Sequence, residues 1–229
     1  MKEIKLALLG KNIKHSKSQM MYEDIFKRTI EYKHYDCESE ALIPTLEKVF
    51  SNYQGLSITA PYKKFFLTDV KMDQEIQQLN AINCIKKNGE EFFATNTDYE
   101  AIVKIFEKNK YSDREIIILG SGSMAHVTSC YLNSINKDFS LLSRKVNGPL
   151  ENRSLRIDAK TPNPLIINTC ARQFVFQGSL PDQSTFWDYN YAHLDNKRSL
   201  NERCTYIDGL EMLRLQAESA VDFWGLRNI

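Results

Sequence analysis

Glu115-Ile116-Ile117-Ile118-Leu119-Gly120-Ser121-Gly122-Ser123 decides the fold. A short apolar run stops at a glycine-serine turn, and the chain then reads as a helix from Met124 to about Ile135, so a buried strand turns tightly into a helix. Glycines at such a turn let backbone approach a pyrophosphate, while the helix N–H groups and dipole stabilise its charge. The same pattern also serves as a plain strand-to-helix turn in any α/β domain. Downstream, strands are expected at Phe139–Leu142, Leu165–Asn168, Phe186–Asp188 and Tyr206–Asp208, followed by a closing helix from Gly209 to about Phe223. The stretch from Arg144 to Leu165 contains Asn147, Gly148, Pro149, Pro162 and Pro164, and little helix is expected there.

Upstream of the turn lies a second α/β rhythm. Lys5–Leu9 reads as a buried strand stopped by Gly10, Ser18–Thr29 as a helix and Glu31–Cys37 as an alternating strand. Ala41–Phe50 reads as a helix and Gly55–Thr59 as another strand, with Pro61 suited to open a further helix. Two extended runs, Ala81–Lys86 and Glu91–Thr95, flank Asn88-Gly89, a strong hairpin signal. Asp98–Glu107 is an amphipathic helix leading into the second unit. The expected architecture is therefore α/β with two domains: a mixed, mostly parallel N-terminal unit and a Rossmann-like unit that is short in its middle.

Composition excludes several function classes. The chain has 229 residues, 30 Lys plus Arg against 29 Asp plus Glu, and a formal charge of +1, which removes the electrostatic case for nucleic-acid or acidic-membrane binding. The hydrophobic share of 42% and charged share of 26% are those of a folded globule. The five cysteines, Cys37, Cys84, Cys130, Cys170 and Cys204, form no C-x-x-C pair, so neither a metal site nor a disulfide framework is expected. Leu6–Leu9 is too short for a signal-peptide core or the ~20 residues of a membrane span, and a reduced cytoplasm is the expected location.

Four stretches carry chemistry. The Gly120 turn is the first, with Ser143-Arg144 after the next strand, where a serine and an arginine suit a ribose 2′-phosphate better than the acidic residue that selects NAD. The second is Gly10 to Ser18, in which Ser16 and Ser18 could both face an anion at a helix N-terminus, although Ser18 also suits a plain cap and His15 a structural role. The third is Gly55-Leu56-Ser57-Ile58-Thr59-Ala60-Pro61-Tyr62-Lys63-Lys64, where a lysine held near a carboxylate could donate a proton to a developing alkoxide. The fourth is Asn96-Thr97-Asp98, where Asp98 could cap a helix or pair with that lysine.

In order along the chain, these stretches resemble the signatures of the shikimate dehydrogenase family, and the resemblance runs from Leu8 to Gly225. Gly10, His15, Ser16 and Ser18 match its opening glycine and His-Ser-x-Ser; Ser57–Lys63 matches its Asn-Val-Thr-x-Pro-x-Lys; Asn80–Asn83 matches its Gly-Ala-x-Asn. Asn96-Thr97-Asp98 matches Asn-Thr-Asp, and Gly209–Ala217 carries Gly-x-x-Met-Leu-x-x-Gln-Ala. The resemblance implies reversible NADPH-dependent reduction of 3-dehydroshikimate to shikimate, an oxidoreductase step of aromatic amino-acid (chorismate) biosynthesis. It implies a substrate domain at 1–97 completed by the 209–229 helix, and a trimmed Rossmann-like NADP-binding domain at 98–208. Lys63 and Asp98 would be the catalytic pair. Ser16 and Ser18 would bind the substrate carboxylate, and Thr59, Asn83, Tyr191 and Gln216 its hydroxyls and ring. Gly120, Ser121, Gly122, Ser123, Ser143 and Arg144 would hold the cofactor, with Gly209 and Met212 near the nicotinamide. The implied partners are the small-molecule substrate and NADP, with no nucleic acid, membrane or metal, in a monomer or homodimer.

Departures from the family pattern are part of the reading. Ser57 stands where asparagine is usual, Gln19 replaces a proline, Tyr99 a glycine, and Ala192-His193 an Asn-Pro pair. Ser123 puts a side chain where backbone normally nears phosphate, which is expected to weaken cofactor binding without abolishing it. The 145–164 and 192–204 stretches are short for the family. Two alternatives follow from these changes: a paralogue acting on quinate or another cyclic hydroxy acid, and a non-catalytic shikimate-binding sensor with an impaired cofactor site.

Overall fold

A computed structural model of the chain describes residues 3–156, 163–191 and 195–227. The chain folds into two compact units, Met1–Ala101 with Leu213–Ile229, and Ile102–Met212.

In the first unit the elements are β1 (Lys5–Gly10), α1 (Ser18–Phe26), β2 (Glu31–Asp36), α2 (Leu46–Phe50), β3 (Gly55–Ile58), α3 (Gln74–Leu79), β4 (Cys84–Asn88) and β5 (Glu91–Thr95). The sheet order is β2-β1-β3-β4-β5. β1 pairs parallel with β2 and β3, while β4 and β5 add as an antiparallel hairpin. β1 is buried on both faces, as its apolar run requires of a central strand, and alternation appears only at the β2 edge.

α4 (Thr97–Asn109) leads out of this unit and α8 (Leu210–Phe223) leads back into it. Within the first unit, Ala217, Ala220, Val221 and Trp224 follow helical spacing and pack on Ile4, Leu6, Tyr22 and Cys84. Trp224 also donates from Nε1 to the Ile85 carbonyl at 2.9 Å. Burying a side chain of the size of Val221 contributes about 1.5–3 kcal/mol and the alanines less, which secures the C-terminal segment to the first sheet.

The second unit continues with β6 (Ile116–Leu119), α5 (Ser123–Ser134), β7 (Ser140–Leu142), α6 (Arg144–Asn147), β8 (Leu165–Asn168), β9 (Thr185–Asp188), α7 (Asp195–Leu200) and β10 (Thr205–Ile207). All pairings are parallel, in the order β7-β6-β8-β9-β10. The order reverses between β6 and β8, which is the switch point where doubly wound sheets take their ligands. The unit is Rossmann-like with a single strand, β7, on the outer side of β6.

Three local expectations fail for identifiable reasons. The helix expected over Ala41–Phe50 splits into a 3-10 turn at Glu40–Leu42 and α2, because Pro44 cannot donate to an α-helical ladder. No helix follows Pro61. Successive i→i−3 bonds from Tyr62, Phe65, Leu67 and Asp69 form turns, and the Lys63 carbonyl accepts from Ile82 N–H instead of from the next helical turn. The hairpin turn is Gly89-Glu90, one residue later than the Asn88-Gly89 pair suggests, since Asn88 pairs with Glu91. The short helices α3 and α7 were absent from the sequence reading. No described helix is long and apolar enough to cross a membrane.

Candidate active site

In the first unit the carboxyl ends of β1 and β3 bring the expected groups to one sheet end. At Gly10 a Cβ would lie 2.5 Å from the methyls of Ile13 and Thr59, so glycine is what lets the two loops close on each other. Thr59, half-buried, donates its N–H to the Leu9 carbonyl at 2.8 Å. The Ser16 hydroxyl donates to Ser18 Oγ at 3.1 Å and accepts from Ser18 N–H at 3.3 Å. Ser18 is therefore no ordinary cap: Lys17 holds the cap position of α1, without a side-chain bond. Two paired hydroxyls stand at a helix N-terminus whose cap residue, Lys17, makes no side-chain cap bond, a fitting arrangement for an anion.

Lys63 Nζ donates to Asp98 Oδ2 at 2.7 Å, with only 9% and 14% of the two side chains exposed. Asp98 is not spent on capping α4. That task falls to Asn96, wholly buried, whose Oδ1 accepts from Tyr99 N–H at 3.0 Å and whose Nδ2 donates to the Ala81 carbonyl. The carboxylate is thus left to the lysine.

Asn83 and Gln216 are positioned through Thr97, which the sequence reading quoted beside Asp98 without giving it a role. Asn83 Oδ1 accepts from Thr97 N–H at 2.7 Å, and Asn83 Nδ2 donates to Thr97 Oγ1 at 3.0 Å. The Thr97 hydroxyl has two acceptors at 3.2 Å, Asn83 Oδ1 and Gln216 Oε1, and Gln216 Nε2 donates to the Leu213 carbonyl. The two amides are fixed in orientation before any ligand arrives. Ser57, in the usual asparagine position, bonds the buried Tyr22 hydroxyl at 2.9 Å. Burial pushes the Tyr22 phenol well above its ordinary range, so it is neutral at physiological pH. Tyr99 turns its hydroxyl to Glu75 at 2.8 Å.

In the second unit a cavity of about 500 Å³ opens at the switch point. Gly120, Ser121 and Gly122 line it after β6, Arg144 after β7, Thr169 to Ala171 after β8, with Glu151 on the remaining side. Gly120 has φ +115°, and a Cβ there would meet Thr169 Oγ1 at 2.5 Å. At Gly122 the fold itself demands no glycine, because a Cβ would meet nothing within 4 Å. Gly122 holds the cap position of α5 and makes no side-chain cap bond, so the N-terminus of α5 lies beside the glycines that line the cavity. These features could receive a dinucleotide pyrophosphate, and Arg144 puts a cation in the same lining. Ser123 is the first residue of α5 and half-buried. Ser143 is buried, and its hydroxyl accepts from Val146 N–H to cap α6.

The remaining candidates also belong to the second unit. Gly209 is buried and donates its N–H to the Asn190 carbonyl, and Met212 is buried nearby in sequence at the start of α8. Tyr191 is half-buried and electrostatically close to Arg172, while Ala192 and His193 lie outside the described residues. Burial pushes the Cys170 thiol up to about 11, against a smaller lowering by Arg144. Glu151 was missed by the sequence reading, which quoted Thr97 and Asn96 with Asp98 but gave them no role of their own. Of these only Asn96 had a signal, an Asn three residues before Tyr99 at a helix start.

The two units together define a class: a two-domain α/β protein pairing a nearly dry lysine–aspartate ion pair in one unit with a Rossmann-like nucleotide fold in the other. A family model described as "Shikimate dehydrogenase substrate binding domain" matches residues 8–85. The chain is 28% identical to the shikimate dehydrogenase (NADP(+)) of Prochlorococcus marinus, over 96% of this chain and 91% of that protein. That alignment spans 263 positions, so the relative carries residues where this chain of 229 has none. The shikimate 5-dehydrogenase of Thermus thermophilus in complex with shikimate has the same fold, with TM-score 0.76 and 20% identity over 96% of this chain and 92% of that one. So has the 5-ketofructose reductase of a Gluconobacter species, with TM-score 0.70 and 17% identity over 98% and 93%. The family model, the curated relative and the solved structures thus agree in what the chain is similar to, the shikimate dehydrogenase family, with the family model itself confined to residues 8–85.

Proposed function

We propose that the chain is a shikimate dehydrogenase, an NADP-dependent oxidoreductase that reversibly reduces 3-dehydroshikimate to shikimate in aromatic amino-acid biosynthesis. The observation that carries the reading is the Lys63–Asp98 pair, 2.7 Å apart and nearly out of water, in the same unit as the paired hydroxyls of Ser16 and Ser18.

Bound NADPH would supply the hydride. As the hydride reaches the carbonyl carbon, the C=O π electrons move onto oxygen, and Lys63 donates a proton from Nζ to that oxygen. The neutral amine is then reprotonated from solvent. Asp98 holds Nζ in one direction, which makes it an orienting group as well as a counter-charge, and it restores the ion pair after each turnover. Ser16 and Ser18 would fix the substrate carboxylate, while Asn83 and Gln216, locked through Thr97, would meet hydroxyls with their remaining polar atoms. In the reverse direction the lysine, once neutral, takes the hydroxyl proton. Gly209 and Met212 would flank the nicotinamide.

One observation favours a second reading, a paralogue acting on another cyclic hydroxy acid: the Tyr22–Ser57 hydroxyl pair stands where the family has asparagine. Measuring NADP+ reduction at the reduced-nicotinamide absorbance with shikimate and with quinate tests both. Turnover of shikimate supports the dehydrogenase, and turnover of quinate alone the paralogue. Binding of shikimate with no turnover in any arm would leave a sensor and contradict the proposal.

A further inference from the structure

The cavity at the β6/β8 switch point holds two opposite charges that ignore each other. Arg144 lies on its β7 side and Glu151 on the side left by the short segment after α6. Among the described residues neither is ion-paired, with the other or with any further group. Both act on the same thiol, Cys170, the guanidinium in one sense and the carboxylate in the other, so both fields reach the cavity.

Glu151 is held there by its backbone. Its carbonyl accepts from Gln177 N–H at 2.7 Å and from Gly178 N–H at 3.0 Å. The segment is clamped further by Leu155 N–H to the Ser179 carbonyl at 3.0 Å, and by Arg153 Nη1 to the Asn147 carbonyl at 2.8 Å. Leu150 and Leu155 on either side are anchored in the core with Phe174 and Phe176. The main chain at Glu151 is thereby a fixed part of the cavity wall, and the carboxylate it carries contributes no described bond to the fold.

A site that presents a cation and an unpaired acceptor together matches a ligand with an anion and hydroxyl donors side by side. The adenosine ribose of a dinucleotide has both. We propose that Glu151 is a specificity-determining residue of this site: its carboxylate accepts from a ribose hydroxyl, and its charge opposes the 2′-phosphate that Arg144 attracts. The inference rests on the reading of this cavity as the dinucleotide site, and it makes the chain less selective for NADP over NAD than Arg144 alone would.

The test is equilibrium binding, by calorimetry, of NADP+, NAD+, adenosine 2′,5′-bisphosphate and 5′-AMP to the full chain and to the variants Glu151→Gln, Glu151→Ala and Arg144→Gln. Both Glu151 variants should bind NADP+ and the bisphosphate about fivefold or more tightly than the parent, with NAD+ and 5′-AMP unchanged or weaker. Arg144→Gln should weaken only the two 2′-phosphorylated ligands. If the parent binds these ligands and both Glu151 variants leave the NADP+ to NAD+ ratio within twofold, the role of Glu151 is overturned while the cavity keeps its ligand. If the parent binds none of the four, the dinucleotide reading of the cavity falls, and this inference falls with it.

Discussion

Replacing Lys63 by methionine keeps the length of the side chain and deletes its ammonium, and the structure separates two consequences. The first is catalytic. A positioned proton donor contributes about 10²–10⁴-fold, so kcat should fall by that factor, about 3–5 kcal/mol of transition-state stabilisation. The groups assigned to hold shikimate are elsewhere, so its Kd should move by less than about tenfold. The second is structural: Asp98, 14% exposed, loses its partner at 2.7 Å. Orphaning one member of a buried pair costs about 3–5 kcal/mol, and the residual exposure places this case near the lower end. In the double variant Lys63→Met/Asp98→Asn the stranded charge is gone, so stability should recover by about 2 kcal/mol while kcat stays low. Steady-state absorbance, shikimate calorimetry and urea melts read the three quantities independently. Turnover by Lys63→Met within threefold of the parent would refute the reasoning. So would turnover that returns with stability in the double variant, because activity would then be following the fold and not the proton donor.

Other outcomes follow from the second unit. Gly120→Ala forces a Cβ to 2.5 Å from Thr169 Oγ1 at φ +115°, so it should cost about 1–3 kcal/mol in a urea melt and weaken NADP+ at least tenfold; unchanged NADP+ binding would contradict the turn's role. Asp188 is wholly buried and accepts from Asn168, Asn190, Asn196 and Tyr206, so Asp188→Ala should lose about 3 kcal/mol or more, and a loss below about 1 would show those donors finding other partners. Cys170, with its thiol raised by burial from an ordinary value of 9.0 to about 11, should alkylate slowly at pH 7 and faster as pH approaches 11, with saturating NADP+ slowing the reaction. The unfolded chain releases that proton first, so this thiol lowers stability as pH rises from about 9 to about 11; the difference between the parent and Cys170→Ser melts measures it, and an opposite sign would contradict its burial.

The strands of both sheets were legible because their apolar runs are short, continuous and bounded by glycine or polar turns, as at Lys5–Gly10 and Ile116–Leu119. Non-local bonds were not legible. The segment after Pro61 reads as a helix until one knows that the Lys63 carbonyl is claimed by Ile82, nineteen residues on. The lysine and aspartate of the site were singled out as chemistry-bearing residues, but their pairing depends on Asn96 taking over the cap of α4. The role of Thr97 was hidden for a related reason: its work is to link Asn83 to a glutamine on the C-terminal helix, a contact that sequence order does not suggest. Glu151 lies in the irregular stretch between Arg144 and Leu165, where no periodicity points a side chain anywhere. Its place in the cavity comes from carbonyl bonds to Gln177 and Gly178 and from the anchoring of Leu150 and Leu155 in the core.

The central claim is that hydride passes between the carbon bearing the shikimate 3-hydroxyl and NADP, with Lys63 handling the proton. A single turnover with shikimate carrying deuterium at carbon 3 tests it most directly, with the reduced nucleotide analysed by mass spectrometry. The account predicts one deuterium in the nicotinamide of NADPH, formed by the parent and lost in Lys63→Met. Unlabelled NADPH, or label transferred equally well by Lys63→Met, would contradict it.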